Sequence, residues 1–166
     1  MNVAREYTYA KTATEVRNLP LVSDSTLEKA DQMRLGAAIR VELNDGRWVT
    51  VPEGFVTDLF SVPPWLHTLF KPYDNRLNLA SIVHDYLYEY WEVFEKDQRC
   101  YIGLEWEPVY YAGGEERRYA DRAMLDIMLR FRQHNKTLHV FYYAVRLGGR
   151  SNWNYFRHRN QHEKVI

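Results

Sequence analysis

Along this chain the hydrophobic period changes from two residues to between three and four. From Ala37 to Leu43 polar and apolar positions alternate, with Ile39, Val41 and Leu43 on one side and Ala38, Arg40 and Glu42 on the other. A period of two predicts a half-buried strand. Asn44-Asp45-Gly46 follows, and all three residues tolerate positive φ. Trp48–Val51 then resumes as the partner strand, which makes 37–51 a hairpin. Thr12–Val22 reads as an added edge strand with a break at Pro20. After Pro52-Glu53-Gly54, the segment Phe55–Pro64 carries Thr57, Asp58, Ser61 and two prolines and reads as a fixed irregular loop. Trp65–Phe70 reads as a short helical turn.

From Asn78 the pattern is helical. Leu79, Ile82, Val83, Tyr86 and Tyr90 form one stripe, and Ala80, His84, Leu87 and Trp91 the next, predicting a helix over Asn78–Val93. Phe94–Tyr111 is mixed and aromatic and reads as loop, with at most a short strand pair. Gly113-Gly114 breaks the chain. A second helix is predicted over Glu115–Gln133, with Glu115 and Glu116 at its positive end and Ala120, Ala123, Met124, Ile127, Met128 and Phe131 on its apolar side. A third spans Thr137–Leu147 and stops at Gly148-Gly149. The tail from Arg150 is polar and aromatic, and Arg157-His158-Arg159 reads as solvated. The fold class is α+β: a small N-terminal antiparallel sheet followed by about three packed helices. They form a single domain over 1–166 with its core at about 12–155.

Composition narrows the function classes. Hydrophobic residues make up 46% and charged residues 27% of the 166, as in a globular domain. Lys and Arg balance Asp and Glu at 22 each, which argues against a general nucleic-acid binder. Only a local basic segment (Arg146, Arg150, Arg157, His158, Arg159) stands out. A lone cysteine, Cys100, permits neither an internal disulfide nor a cysteine zinc site. No run of about 18 apolar residues predicts a membrane span, and the first residues carry no apolar leader. Aromatics reach 15%, clustered at 86–111 and 141–156, as at half-buried surfaces and interfaces.

The chemistry concentrates at His84-Asp85, an ionisable pair inside an apolar helix. Such a pair is costly unless it is hydrogen-bonded or bound to a metal. Asp121 lies in a second apolar helix, and three buried ionisable groups call for one explanation. His84 titrates near neutrality and suits a general base acting on water. Asp121, on a helix packed against it, would hold the other ring nitrogen. Asp85 points about 100° away and, with Asp58 and backbone carbonyls, offers oxygen ligands to a hard cation. Calcium is expected first, with zinc and magnesium as lesser alternatives. The catalytic set is then His84, Asp121 and Tyr88, which shares a helix face with His84 at i, i+4; the metal set is Asp85 and Asp58. The same trio also fits a sealed structural hydrogen-bond network.

Two resemblances follow from ordered motifs. Val51-Pro52-Glu53-Gly54-Phe55-Val56-Thr57-Asp58, Ser61-Val62-Pro63, Ile82–Tyr88, Ala120-Asp121 and Tyr143–Gly149 with Trp153 resemble a phage and prophage family catalogued as domain of unknown function 1353, over about 35–155. The resemblance implies a bacteriophage or prophage origin and no set activity. More locally, His84-Asp85-Tyr86-Leu87-Tyr88 looks like the His-Asp-x-x-Tyr helix of secreted phospholipases of the A2 class, and Ala120-Asp121-Arg122-Ala123 like that class's second helix. It implies His84 as base, Asp85 as calcium ligand, and Tyr88 and Asp121 as support. The disulfides and Gly-rich calcium loop of that class have no counterpart here; Thr57–Pro64 stands in the loop's place.

Three functions remain open on the sequence. One is a phage-encoded His/Asp hydrolase cleaving a lipid ester or a cell-envelope bond, with or without a cation. Another is a virion component, tail or baseplate, whose aromatics contact other virion proteins. The third is a small inhibitor of a host protein. With no signal peptide, host cytoplasm or virion is the expected location.

Overall fold

Two small sheets precede the helices. The computed structural model describes residues 6–16, 18–29, 32–59, 75–107, 113–131 and 136–165. Its strands are β1 (Glu6–Tyr9), β2 (Leu21–Val22), β3 (Met33–Leu35), β4 (Ala38–Glu42), β5 (Trp48–Val51) and β6 (Val56–Thr57). One sheet has the order β1-β4-β5 and the other β2-β3-β6. Five helices follow among the described residues: α1 (Asn75–Glu89), α2 (Trp91–Tyr101), α3 (Gly114–Phe131), α4 (Lys136–Gly148) and α5 (Arg150–Glu163). The architecture is α+β, as the change of period implies.

The hairpin is β4–β5, with Ile39 opposite Val51 and Val41 opposite Val49, all four fully buried. Gly46 turns it at φ 86°, a conformation that glycine adopts without steric cost. Several elements differ from the sequence reading. β1 pairs in parallel with β4, so the sheet is not wholly antiparallel. Among the described residues of Thr12–Val22 only Leu21–Val22 is a strand, and it belongs to the second sheet. That sheet ends at Thr57, whose hydroxyl donates to Asp85 of α1.

α1 is buried on nearly every side, from Leu77 to Tyr88, by the sheet and the other helices. That is why two adjacent stripes, not one, run along it. It ends at Tyr90, whose backbone (φ −125°, ψ 43°) leaves the helical region. The chain then re-enters helix, so Phe94–Tyr101 is α2 rather than loop. α2 buries only Trp91, Glu92 and Phe94, too narrow an apolar edge to stand out among aromatics that also favour strands.

The polar tail is likewise a helix. α5 buries Trp153, Arg157 and Asn160 at i, i+4, i+7, and two of the three are polar. Arg157 is therefore not solvated: it is 5% exposed and pairs with the fully buried Glu92 at 3.2 Å. Its Nη2 donates to the carbonyls of Tyr88 (2.6 Å) and Glu89 (3.2 Å), and Asn160 Nδ2 donates to Glu89 as well (2.5 Å). These donors and the Arg157 charge satisfy the negative C-terminal end of α1. Removing one partner of a buried pair strands the other charge. Arg157→Ala is therefore expected to lower stability by about 3–5 kcal/mol in urea denaturation. The exposed Arg118→Ala should stay within about 0.5 kcal/mol.

Candidate active site

Asp121 of α3 is completely buried, and both its oxygens are engaged. Oδ1 lies 2.9 Å from His84 Nε2 and accepts the Tyr88 hydroxyl at 2.6 Å. Oδ2 accepts Arg146 Nη1 of α4 at 2.6 Å. Burial opposes the Asp121 charge, but the bonds from His84, Tyr88 and Arg146 outweigh it and hold the carboxyl below its usual range. With Asp121 ionised, His84 Nε2 is the donor. In the neutral ring Nδ1 is then the nitrogen carrying the lone pair.

Nδ1 faces Asp85, whose Oδ1 is 3.7 Å away. That is too long for a direct hydrogen bond. A separation of that size is one that a single bridging water can span. Asp85 Oδ2 accepts the Thr57 hydroxyl at 2.6 Å, and the Thr57 oxygen accepts the Leu59 amide at 3.0 Å. Leu59 sits at φ 51°, unusual for a side chain branched beyond Cβ, at the turn that brings Asp58 round. Burial, above all, pushes the Asp85 carboxyl up, and nearby Asp58 adds to it. For His84 burial disfavours the imidazolium, yet the hydrogen bond to Asp121 and the negative charges of Asp121 and Asp85 prevail, so its pKa lies above the ordinary 6.5.

His84, Asp85, Tyr88 and Asp58 line a cavity of about 900 Å³ between β6, α1, α4 and α5. The His84 side chain is 12% exposed there and that of Asp85 26%. Its far wall includes Gly149, Tyr155 and Arg159. Gly149 is needed for lack of a side chain, since a Cβ there would stand 2.5 Å from the Tyr88 hydroxyl and 2.9 Å from the Val145 carbonyl. Trp153 meets the Tyr88 ring edge-on at 5.1 Å.

The five residues expected to form the site all lie within the described residues. His84, Tyr88 and Asp121 form one bonded group, and Asp85 and Asp58 face the same cavity. Among the described residues no three His, Cys, Asp or Glu side chains converge as a metal set. Ser61, Trp65–Phe70 and His67 lie outside the described residues. Sequence reasoning missed Arg146 and gave Thr57 only a turn role. A buried Asp121 needs a counter-charge, and that requirement was the signal that could have found Arg146.

The fold and site thus define an α+β domain with a buried aspartate orienting a cavity-facing histidine. The chain belongs to the family described as protein of unknown function (DUF1353), whose model matches residues 33–145. No curated protein and no solved structure matches the chain.

A histidine whose pKa is raised on folding stabilises the fold fully below its unfolded value and loses that contribution as pH rises through the folded value. Melting temperature, compared between wild type and His84→Gln, should therefore show a gap that narrows from pH 6 upward. A constant gap from pH 6 to 9 would contradict the raised pKa.

Proposed function

We propose that the chain is a bacteriophage- or prophage-encoded hydrolase of acyl esters, with His84 as general base. The carrying observation is that Asp121 holds Nε2 at 2.9 Å while Nδ1 faces a cavity beside Asp85. A water between Nδ1 and Asp85 attacks the acyl carbon as Nδ1 takes its proton. The imidazolium then returns that proton to the departing alkoxide, so atoms and charge balance. Asp121 and Tyr88 act through His84 as positioning residues. Arg146 keeps Asp121 ionised, which stabilises the imidazolium. Lipid esters and acyl esters of the cell envelope both fit this chemistry.

The carboxylates Asp85 and Asp58 are the two residues that would hold a hard cation, completed by backbone carbonyls and water. When bound, it would polarise the acyl oxygen. A cation that binds only the native state raises the melting temperature. Calcium should do so for wild type and not for Asp85→Asn; equal melting curves with calcium, magnesium and chelator would remove the cation from the scheme.

The hydrolase is tested with p-nitrophenyl esters of short and medium chain length, with phospholipid and with O-acetylated peptidoglycan. His84→Asn should cost about 10²-fold or more in kcat/KM while the fold is kept. The base must be neutral, so the rate should rise with pH along an acid limb whose midpoint lies above 6.5. Full activity in His84→Asn, or no turnover of any substrate by wild type, overturns the proposal in favour of a structural network.

A further inference from the structure

α4 carries two unlike faces. Phe141, Ala144 and Gly148 wall the cavity. One residue earlier in each turn, about 100° round the helix, stand Val140, Tyr143 and Leu147 at i, i+3, i+7. They are 51%, 63% and 86% exposed. Tyr155 of α5, 62% exposed, lies past the Gly149 turn and lines the cavity as well. Scattered exposed apolar residues need no explanation, but a stripe beside a cavity mouth does.

Charge is divided just as unevenly. Residues 136–166 contain six Lys or Arg and only one acid, Glu163, for a net +5. The whole chain has 22 of each, so the first 135 residues carry −5. Arg146, Arg157 and Arg159 of the basic end are tied to Asp121, Glu92 and Glu89. Lys136 and Arg150 are exposed at the two ends of the stripe, with the exposed His139 between them, and α4 has no acidic residue at all.

We propose that the Val140–Tyr143–Leu147 stripe of α4, with the exposed Tyr155 of α5 beyond it, docks on an anionic lipid bilayer, with Lys136 and Arg150 on the headgroups. The aliphatic chains enter the acyl boundary and the tyrosines sit at headgroup level. The cations add electrostatic attraction to anionic lipid. Nucleic acid fits less well: it calls for a track of cations and stacking rings, whereas Val140 and Leu147 offer nothing to stack. A second copy fits less well too, because a two-fold contact sets the same basic patch against itself. Docking stands on this surface alone. That it supplies the cavity with lipid esters rests on the hydrolase reading above and names its substrate class.

The test is co-sedimentation of the full chain with vesicles of phosphatidylcholine alone and of phosphatidylcholine with phosphatidylserine. Wild type should partition about tenfold more strongly to the anionic vesicles, and added salt should weaken binding. Leu147→Asp and Arg150→Glu, both at exposed positions and checked for folding by circular dichroism, should each cut partitioning about tenfold. His84→Asn should bind as wild type does, which separates docking from turnover. The proposal is overturned if wild type ignores anionic vesicles or if Leu147→Asp and Arg150→Glu bind unchanged. Preference for single-stranded DNA over vesicles, or a dimer on sizing columns that Leu147→Asp dissolves, would overturn it as well. Vesicle binding without ester cleavage sinks only the hydrolase; ester cleavage without vesicle binding sinks only the docking.

Discussion

A carboxylate with no solvent contact is tolerable only if both its oxygens are hydrogen-bonded, and Asp121 meets this condition with groups from two other helices. Taking such an ion out of water costs several kcal/mol before its partners are counted. α1 supplies His84 and Tyr88, α4 supplies Arg146, and α3 carries the acid itself. Apolar packing between these helices would tolerate small slides. Hydrogen bonds of 2.6–2.9 Å to a single group do not, because each has a narrow distance and angle. The orientation of the His84 ring, and so of the nitrogen facing the cavity, is a consequence of this convergence. So is the absence of a side chain at Gly149, which leaves room for the Tyr88 hydroxyl to reach the acid.

A second polar clamp holds the C-terminal end of α1. Arg157 and Asn160 of α5 take the carbonyls of Tyr88 and Glu89 and engage the buried Glu92. Tyr88 belongs to both clamps: its hydroxyl bonds Asp121, its carbonyl accepts Arg157, and its ring abuts Trp153. Burial raises the Glu92 carboxyl and lowers Arg157 to about 10, so this pair stands at a real desolvation cost. A pair of this kind fixes which helix face meets which more firmly than it adds stability. The cavity depends on it, since α5 forms one of its walls.

Much of this was legible in the sequence wherever one side chain sets one local choice. Ile39, Val41, Val49 and Val51 alternate and pair as the alternation requires. His84 and Asp121 betrayed themselves as ionisable groups on apolar helices, and they lie 2.9 Å apart. What was not legible was polar burial by long side chains. Arg146 and Arg157 have the composition of a solvated surface, yet both are spent on buried acids, and only the fold reveals the acid each one faces. The same blindness hid α5, whose inward residues are Trp153, Arg157 and Asn160. β1 was missed for a different reason: its parallel partner lies about 30 residues away, and no turn signal joins them.

Charge balance bears on whether the His84 group is built for packing or for chemistry. Arg146 alone neutralises Asp121, so the fold does not need an imidazolium there. The Tyr88 hydroxyl already fills one lone pair of Oδ1, and a neutral amide donor would fill the other. A purely structural site would therefore be satisfied by a group that never titrates. Instead the position holds a titratable ring between two carboxylates, with its second nitrogen turned to a cavity and a companion acid 3.7 Å off. Asp85 in turn is kept in the cavity by Thr57, whose hydroxyl is donated to it. Such an arrangement stabilises a proton arriving on Nδ1, which is the property a general base requires.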